Sequence, residues 1–346
     1  MKVKSAMKPE AYSHHNFEFP VLVGDIGGTN ARFALVSEPG GAYHSLTCIK
    51  LKDYKSPVEA IGSVLTHYPV RPASAFLAVA APVEDTCVEL TNANWIIDAD
   101  LIGKAHGFKQ IALINDFPPV AAALSSLERH KDMLCLGDIS PTSSDEKTKF
   151  VIGVGTGCGG SALIPVNNQW LLQPTEIGHT HLGPEGLLEQ TLWPFLQDDT
   201  QPMSVETLLS GQGLLRLYQA LHRLDSSHSD ASSPGQVLEA LQNKDPVARS
   251  TIDIFTSLLA RVAGDMALLF QASEGIYIAG GVIPRFINAI NKEAFRSSFE
   301  NKPPFQNYLK NIPTFIITEE YPALSGLATL VACPQKFITP AVYWKL

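Results

Sequence analysis

Cysteine is scarce and poorly placed for pairing: the five residues, Cys48, Cys87, Cys135, Cys158 and Cys333, form an odd, scattered set without CxxC spacing. A disulfide framework is not expected, and the thiols read as reduced ones in a cytoplasmic protein. No apolar run approaches the ~18 residues that would span a bilayer. The first twenty residues, MKVKSAMKPEAYSHHNFEFP, lack an apolar h-region, so no secretory signal is expected. A basic excess is also missing. The 26 Lys and Arg against 34 Asp and Glu give a formal charge of −8, which supplies no footprint for a nucleic-acid backbone. No G-x-x-x-x-G-K-[ST] occurs, which excludes a P-loop. What remains is a chain of 346 residues, 45% apolar, long enough for roughly two domains and suited to small polar ligands.

Glycine is present in clusters between apolar runs. Val21-Leu22-Val23-Gly24 leads into Asp25-Ile26-Gly27-Gly28-Thr29-Asn30, and a second run follows through Ala31, Phe33, Ala34, Leu35 and Val36. Two short runs split by a glycine turn read as a β-hairpin. The pattern returns at 149–153, followed by Val154-Gly155-Thr156-Gly157-Cys158-Gly159-Gly160 and Ala162-Leu163-Ile164, which suggests a duplicated architecture. Glycines there let backbone N–H groups approach phosphate oxygens, and the Thr29 hydroxyl adds a donor. Asp25, anionic like a phosphate, is better suited to holding Mg²⁺ through water. Taken alone, such a turn is as readily a tight hairpin with a capping Asp. Gly155, Gly157 and Gly160 satisfy G-x-G-x-x-G, but a Rossmann fingerprint opens a helix, and Pro165 and Asn167-Asn168 follow too soon for one.

Residues 75–80 and 111–114 are continuous apolar runs too short for helices and read as buried strands. Helical spacing covers 252–270. A shorter helix is expected over 185–193, with Pro184 at its start and Pro194 just beyond it. A strand over 276–279 runs into Gly280-Gly281 and a helix beginning near Pro284. Strands interleaved with helices make an α/β protein. The segments 225–235 and 141–147 have the composition of exposed loops, the latter connecting the two halves. Asn115-Asp116 follows a buried strand, and the carboxyl ends of strands are where α/β proteins gather ligands. An aspartate there can accept the proton of an attacking hydroxyl. In isolation, the same pair is an Asx turn or a cap for the following helix.

Taken together, Gly24-Asp25-Ile26-Gly27-Gly28-Thr29-Asn30-Ala31-Arg32, Leu90-Thr91-Asn92-Ala93-Asn94-Trp95, Ile114-Asn115-Asp116-Phe117, Gly155-Thr156-Gly157, Glu176-Ile177-Gly178-His179, Glu206 before Leu209-Ser210-Gly211, and Ile278 to Phe286 are more specific than any one turn. In this order they resemble the actin-like ATPase superfamily and, within it, the bacterial glucokinases of the hexokinase group, over about 21–330. The resemblance implies a two-domain actin-like ATPase (ribonuclease H-like) fold with an interdomain cleft. Residues 1–122 plus 322–346 would form the small domain and 123–321 the large one. It also implies a cytoplasmic, glycolytic kinase using ATP and Mg²⁺ to phosphorylate glucose at the 6-hydroxyl.

By the same resemblance, Asp25, Gly27, Gly28, Thr29, Asn30, Gly155, Thr156 and Gly157 meet the phosphates or their metal, and Gly280 and Gly281 lie near the adenosine. Asn115 binds the sugar and Asp116 is the catalytic base. Glu176, His179 and Glu206 bond sugar hydroxyls, a task carboxylates and imidazole suit because each shares several hydrogen bonds. Without that context a lone Glu reads as a solvated charge and His179 as a satisfied core histidine. His179-Thr180-His181 is not expected to bind zinc, since no cysteine cluster accompanies it; the zinc-binding cysteine motif of the related repressor-and-kinase sugar families is missing, and His181 reads as structural. Ile177 stands where relatives commonly carry glycine, and the segment before Val21 and the Ser-rich loop near Ser226 are additions. The sequence is compatible with a homodimer. A sugar-responsive regulator would need a DNA-binding module that twenty aperiodic residues cannot form. A chaperone or filament subunit on this fold would not need Asn115-Asp116 with Glu176, His179 and Glu206.

Overall fold

The computed structural model describes residues 16–91, 93–137, 147–197 and 202–346. Asn92, most of the 141–147 connector and most of the segment before Val21 lie outside the described residues. The chain divides into two compact units, one of residues 1–128, 161–174 and 319–346, the other of 129–160 and 175–318. No helix among the described residues is long and apolar enough to cross a membrane.

The first unit is built on a six-stranded sheet in the order Val342–Lys345, Gln110–Asn115, Ser74–Val79, Val21–Ile26, Asn30–Val36 and Tyr43–Lys50. The expected hairpin is present, with Ile26 opposite Ala31 across the glycine turn. Val21–Ile26, Ser74–Val79 and Gln110–Asn115 are parallel, with Ile26, Val79 and Asn115 in one register row, so their carboxyl ends share an edge. Ser74–Val79 is buried at every position, which is why it reads as an unbroken apolar run rather than an alternating one. One apolar cluster joins Leu22, Phe33, Leu77 and Leu113 to Ile61 and Val64 of helix Pro57–Thr66 and Ile102 of helix Ala99–His106. Helix Pro322–Ala332 packs on Val21–Ile26 and on helix Phe117–Ala123.

The edge strand Val342–Lys345 was not legible as a strand. Four residues carry no period. Its place is set by contact: Trp344 Nε1 donates to Asp100 Oδ1 at 3.2 Å, and the Trp344 ring fills the space a side chain at Gly103 would need.

In the second unit, Lys149–Val154 lies between the opening residues 158–160 of strand Cys158–Val166 and Gly275–Ala279, followed by Thr314–Ile317 and Met133–Cys135. Gly275–Ala279 is parallel to Lys149–Val154 and to Thr314–Ile317. A strand follows the Gly155–Gly157 turn, as the hairpin reading requires and the Rossmann reading does not. The long helix is Pro246–Leu269, started by Asp245, whose side chain accepts from Ala248 N at 2.6 Å, and by proline in its first turn.

Three local expectations change. The helix expected to stop before Pro194 runs Gly186–Leu196 with Pro194 inside it. A proline so near a C-terminus removes only one backbone bond, the Gln197 N–H reaches Trp193 O at 3.0 Å, and buried Leu192 and Leu196, one turn apart, hold the last turn down. The helix expected near Pro284 is a 3-10 stretch, Ile283–Ala289, broken at Phe286 (φ −132, ψ 23) where that ring is buried. The 225–235 loop ends early: Pro234 opens helix Pro234–Gln242, with Ser233 N donating to Gln236 Oε1 at 3.2 Å.

Candidate active site

The site residues fall into two groups, one in each unit. In the first unit, Gly27 N closes the hairpin turn on Asn30 O at 3.0 Å, and Thr29 O accepts from Leu51 N at 3.0 Å. The N–H groups of Gly28 and Thr29 are the turn's remaining donors for an anion. Asp25 stands opposite Arg32 across the hairpin, with Arg32 Nη1 3.3 Å from its Oδ2. Burial pushes the Asp25 carboxyl above its ordinary range, and the Arg32 guanidinium works against that shift. Arg32 lies over the Tyr321 ring, 5.6 Å from its centroid, and its Nε is buried without a hydrogen-bond partner. In the sequence Arg32 stands in the glycine motif with no role of its own to mark it. Its signal was the seven-residue spacing that the two-residue hairpin register turns into a facing pair.

Asn115 ends its strand. Its Nδ2 donates to Ala81 O at 3.2 Å and its Oδ1 accepts from Phe117 N at 3.1 Å, while Ala80 N reaches Ile26 O at 3.0 Å. Asn115-Asp116 and the glycine hairpin are thus tied at one end of the sheet. Asp116 heads helix Phe117–Ala123, yet its side chain makes no cap hydrogen bond to that helix. The bond to Phe117 N is made to Asn115 Oδ1 instead.

In the second unit four segments converge. Gly155 N bonds Gly157 O at 2.8 Å, Gly155 O accepts from Gly211 N at 2.9 Å, and Val282 N bonds Val154 O at 3.2 Å. Gly280, at φ +99, comes so close that a Cβ there would sit 2.2 Å from Val154 O, which is why the backbone needs glycine at that point. The 3-10 turn Ile177–His179 lies against Cys158: a Cβ on Gly178 would be 2.0 Å from Cys158 O. Ile177 is buried and fills the interior of this unit. Glu176 and His179 flank it and are both exposed, available to an incoming hydroxyl-rich ligand. Val205 N bonds Thr180 O at 2.9 Å and sets helix Val205–Leu208 beside that turn, with Glu206 on it. Glu206 Oε2 accepts from Cys158 N at 2.7 Å.

Two consequences follow for the Gly155–Gly157 turn. The Gly155 and Cys158 N–H groups are spent on Gly157 O and Glu206, so neither remains for an incoming anion. The Cys158 thiol is pushed up to about 12, by burial first and by the Glu206 carboxylate second. At pH 8 Cys158 in the folded protein should therefore alkylate with iodoacetamide at least about a hundredfold more slowly than a free thiol, whereas exposed Cys48 and Cys87 react first. Peptide mass mapping against time checks the order, and early modification of Cys158 would contradict it.

Among the described residues, no group of three or more His, Cys, Asp or Glu could form a metal cage. Asp25 is a lone hard-oxygen donor beside a turn with uncommitted N–H groups. That donor set fits a magnesium ion that arrives with nucleotide phosphates, since Mg²⁺ is ordinarily held by one or two carboxylates plus substrate oxygens.

The family model that matches the chain is described as Glucokinase and covers residues 22–333. The glucokinase of Sinorhizobium fredii (strain NBRC 101917 / NGR234) is 36% identical over 330 residues, 94% of this chain and 96% of that protein. Among solved structures, a glucokinase from an Antarctic psychrotroph aligns with a TM-score of 0.76 at 28% identity, covering 90% of this chain and 98% of its own. A ROK family glucokinase from Streptomyces griseus, solved in complex with glucose and AMPPNP, shares the fold at 19% identity, with a TM-score of 0.63 and coverage of 90% and 98%.

Proposed function

The chain belongs to the glucokinase family, and we propose that it transfers the γ-phosphoryl group of ATP to the 6-hydroxyl of glucose on an actin-like ATPase fold. The observation that carries the assignment of roles is the place of Asp116, directly after Asn115 at the carboxyl end of a parallel strand. Its carboxylate takes the proton of the attacking hydroxyl, while Asn115 fixes the sugar beside it. Glu176, His179 and Glu206 read the remaining hydroxyls. The N–H groups of Gly28, Thr29, Thr156 and Gly157 receive phosphate oxygens, and Gly280 and Gly281 leave room for the adenosine. Asp25 would hold Mg²⁺ through water, and that ion, when bound, neutralises charge on the transferring phosphoryl group. Catalysis on this reading is positioning and charge stabilisation rather than covalent chemistry.

A hexose panel with ATP tests the reading. A polar group that the bound sugar covers and leaves without its hydroxyl partner costs about 1–3 kcal/mol, so kcat/KM for glucose should exceed that for mannose and galactose by roughly 5- to 150-fold. Equal values for the three sugars would sink the assignment of Glu176, His179 and Glu206.

A further inference from the structure

Glu206 and the Gly155–Gly157 turn, assigned above to different substrates, are one structural unit. The carboxylate is anchored by a backbone donor of the turn itself, Cys158 N at 2.7 Å. It lies directly over Gly157, where a Cβ would sit 2.3 Å from Glu206 Oε2 and 3.1 Å from its Cδ. A real Cβ essentially never comes within 3.0 Å of another heavy atom, so any side chain at 157 displaces the carboxylate. Gly155, two residues earlier, has nothing within 4 Å of its Cβ position. Neither glycine has a positive φ, so the backbone of both accepts alanine and the difference between them is the Glu206 carboxylate alone. The turn is itself fixed by Gly155 N to Gly157 O and by Gly211 N to Gly155 O, which makes the Cys158 N–H a rigid donor and its bond to a carboxylate a charge-assisted one.

We propose that Gly157 and the Cys158 N–H are positioning elements for the sugar carboxylate Glu206, so that the phosphate turn sets the sugar pocket and glucose recognition depends on a glycine at 157. The proposal rests on the reading of Glu206 as a sugar ligand. Its chemistry is specific. An ionised carboxylate with one oxygen held by a backbone N–H keeps its other oxygen for a hydroxyl donor, and it loses that orientation when the first bond is broken. A phosphoryl donor that moves the turn therefore moves Glu206 as well.

The test is a double-mutant cycle on the full chain, read by calorimetric glucose binding without nucleotide and by thermal melting. Gly157→Ala should weaken glucose binding about tenfold or more, as expected for losing a hydrogen bond to a charged group. Glu206→Ala removes both the ligand and the obstacle, so adding Gly157→Ala to it should cause no further loss of affinity and no further fall in Tm. Losses that multiply in the double variant would overturn the positioning role. Should Gly157→Ala alone prove too unstable to assay, recovery of Tm in the double variant supports the contact and its absence refutes it. If Glu206→Ala leaves glucose affinity unchanged, the sugar role of Glu206 fails, while the Tm cycle still reports whether Gly157 and Glu206 interact.

Discussion

Asp116→Asn should lower kcat by ~10²–10⁴-fold, about 3–5 kcal/mol of barrier, with glucose affinity nearly unchanged. Asparagine keeps the size and most of the hydrogen bonding of the side chain but cannot take up a proton at neutral pH. The competing account treats Asp116 as a residue that starts helix Phe117–Ala123. Asparagine is as good a cap as aspartate, so on that account turnover would survive the change. In the structure Phe117 N donates to Asn115 Oδ1, and the Asp116 side chain makes no cap bond. The variant's kcat beside its glucose Kd by calorimetry separates the two. Near-normal turnover would remove Asp116 from the mechanism.

Gly326→Ala should destabilise the protein by about 3 kcal/mol, with a Tm about 5–10 °C lower. The direction is informative, because helix propensity alone favours alanine over glycine by about 1 kcal/mol. Gly326 lies inside helix Pro322–Ala332 where that helix meets Phe117–Ala123. A Cβ there would be 1.7 Å from Pro119 O, 2.5 Å from Pro119 C and 3.1 Å from Ala123 N. All three atoms are backbone, so no rotamer change relieves the clash and the helices must part. Pro118 to Ala123 are buried, and Asp116 rides at the head of that helix, so the folded fraction should also lose kcat more than glucose affinity. A variant as stable as the parent would show that the helices do not pack this closely.

Much of this is legible in the sequence. The hairpins around Gly27-Gly28 and Gly155–Gly157 announce themselves because apolar runs stop abruptly at glycines, and Ser74–Val79 and Gln110–Asn115 because doubly buried strands leave no polar period. The position of Asn115 at a strand end followed from the same runs. What stayed hidden depends on contacts far apart in sequence. The Cys158 to Glu206 bond spans 48 residues, and the close approach of Gly326 to Pro119 spans still more of the chain. A glycine at 157 or 326 reads in sequence only as permissive, whereas the structure shows each to be a clearance for one identified group. The length of helix Gly186–Leu196 was missed for a related reason: Pro194 is a strong local stop signal, and the burial of Leu196 that overrides it belongs to packing.

The central claim is tested most directly by incubating the purified chain with glucose, Mg²⁺ and ATP and reading the sugar product with an excess of glucose-6-phosphate dehydrogenase and NADP⁺. The account predicts one NADPH per ADP formed, dependent on glucose and lost in Asp116→Asn. ADP release without NADPH, or no reaction while glucose binding is intact, would contradict it.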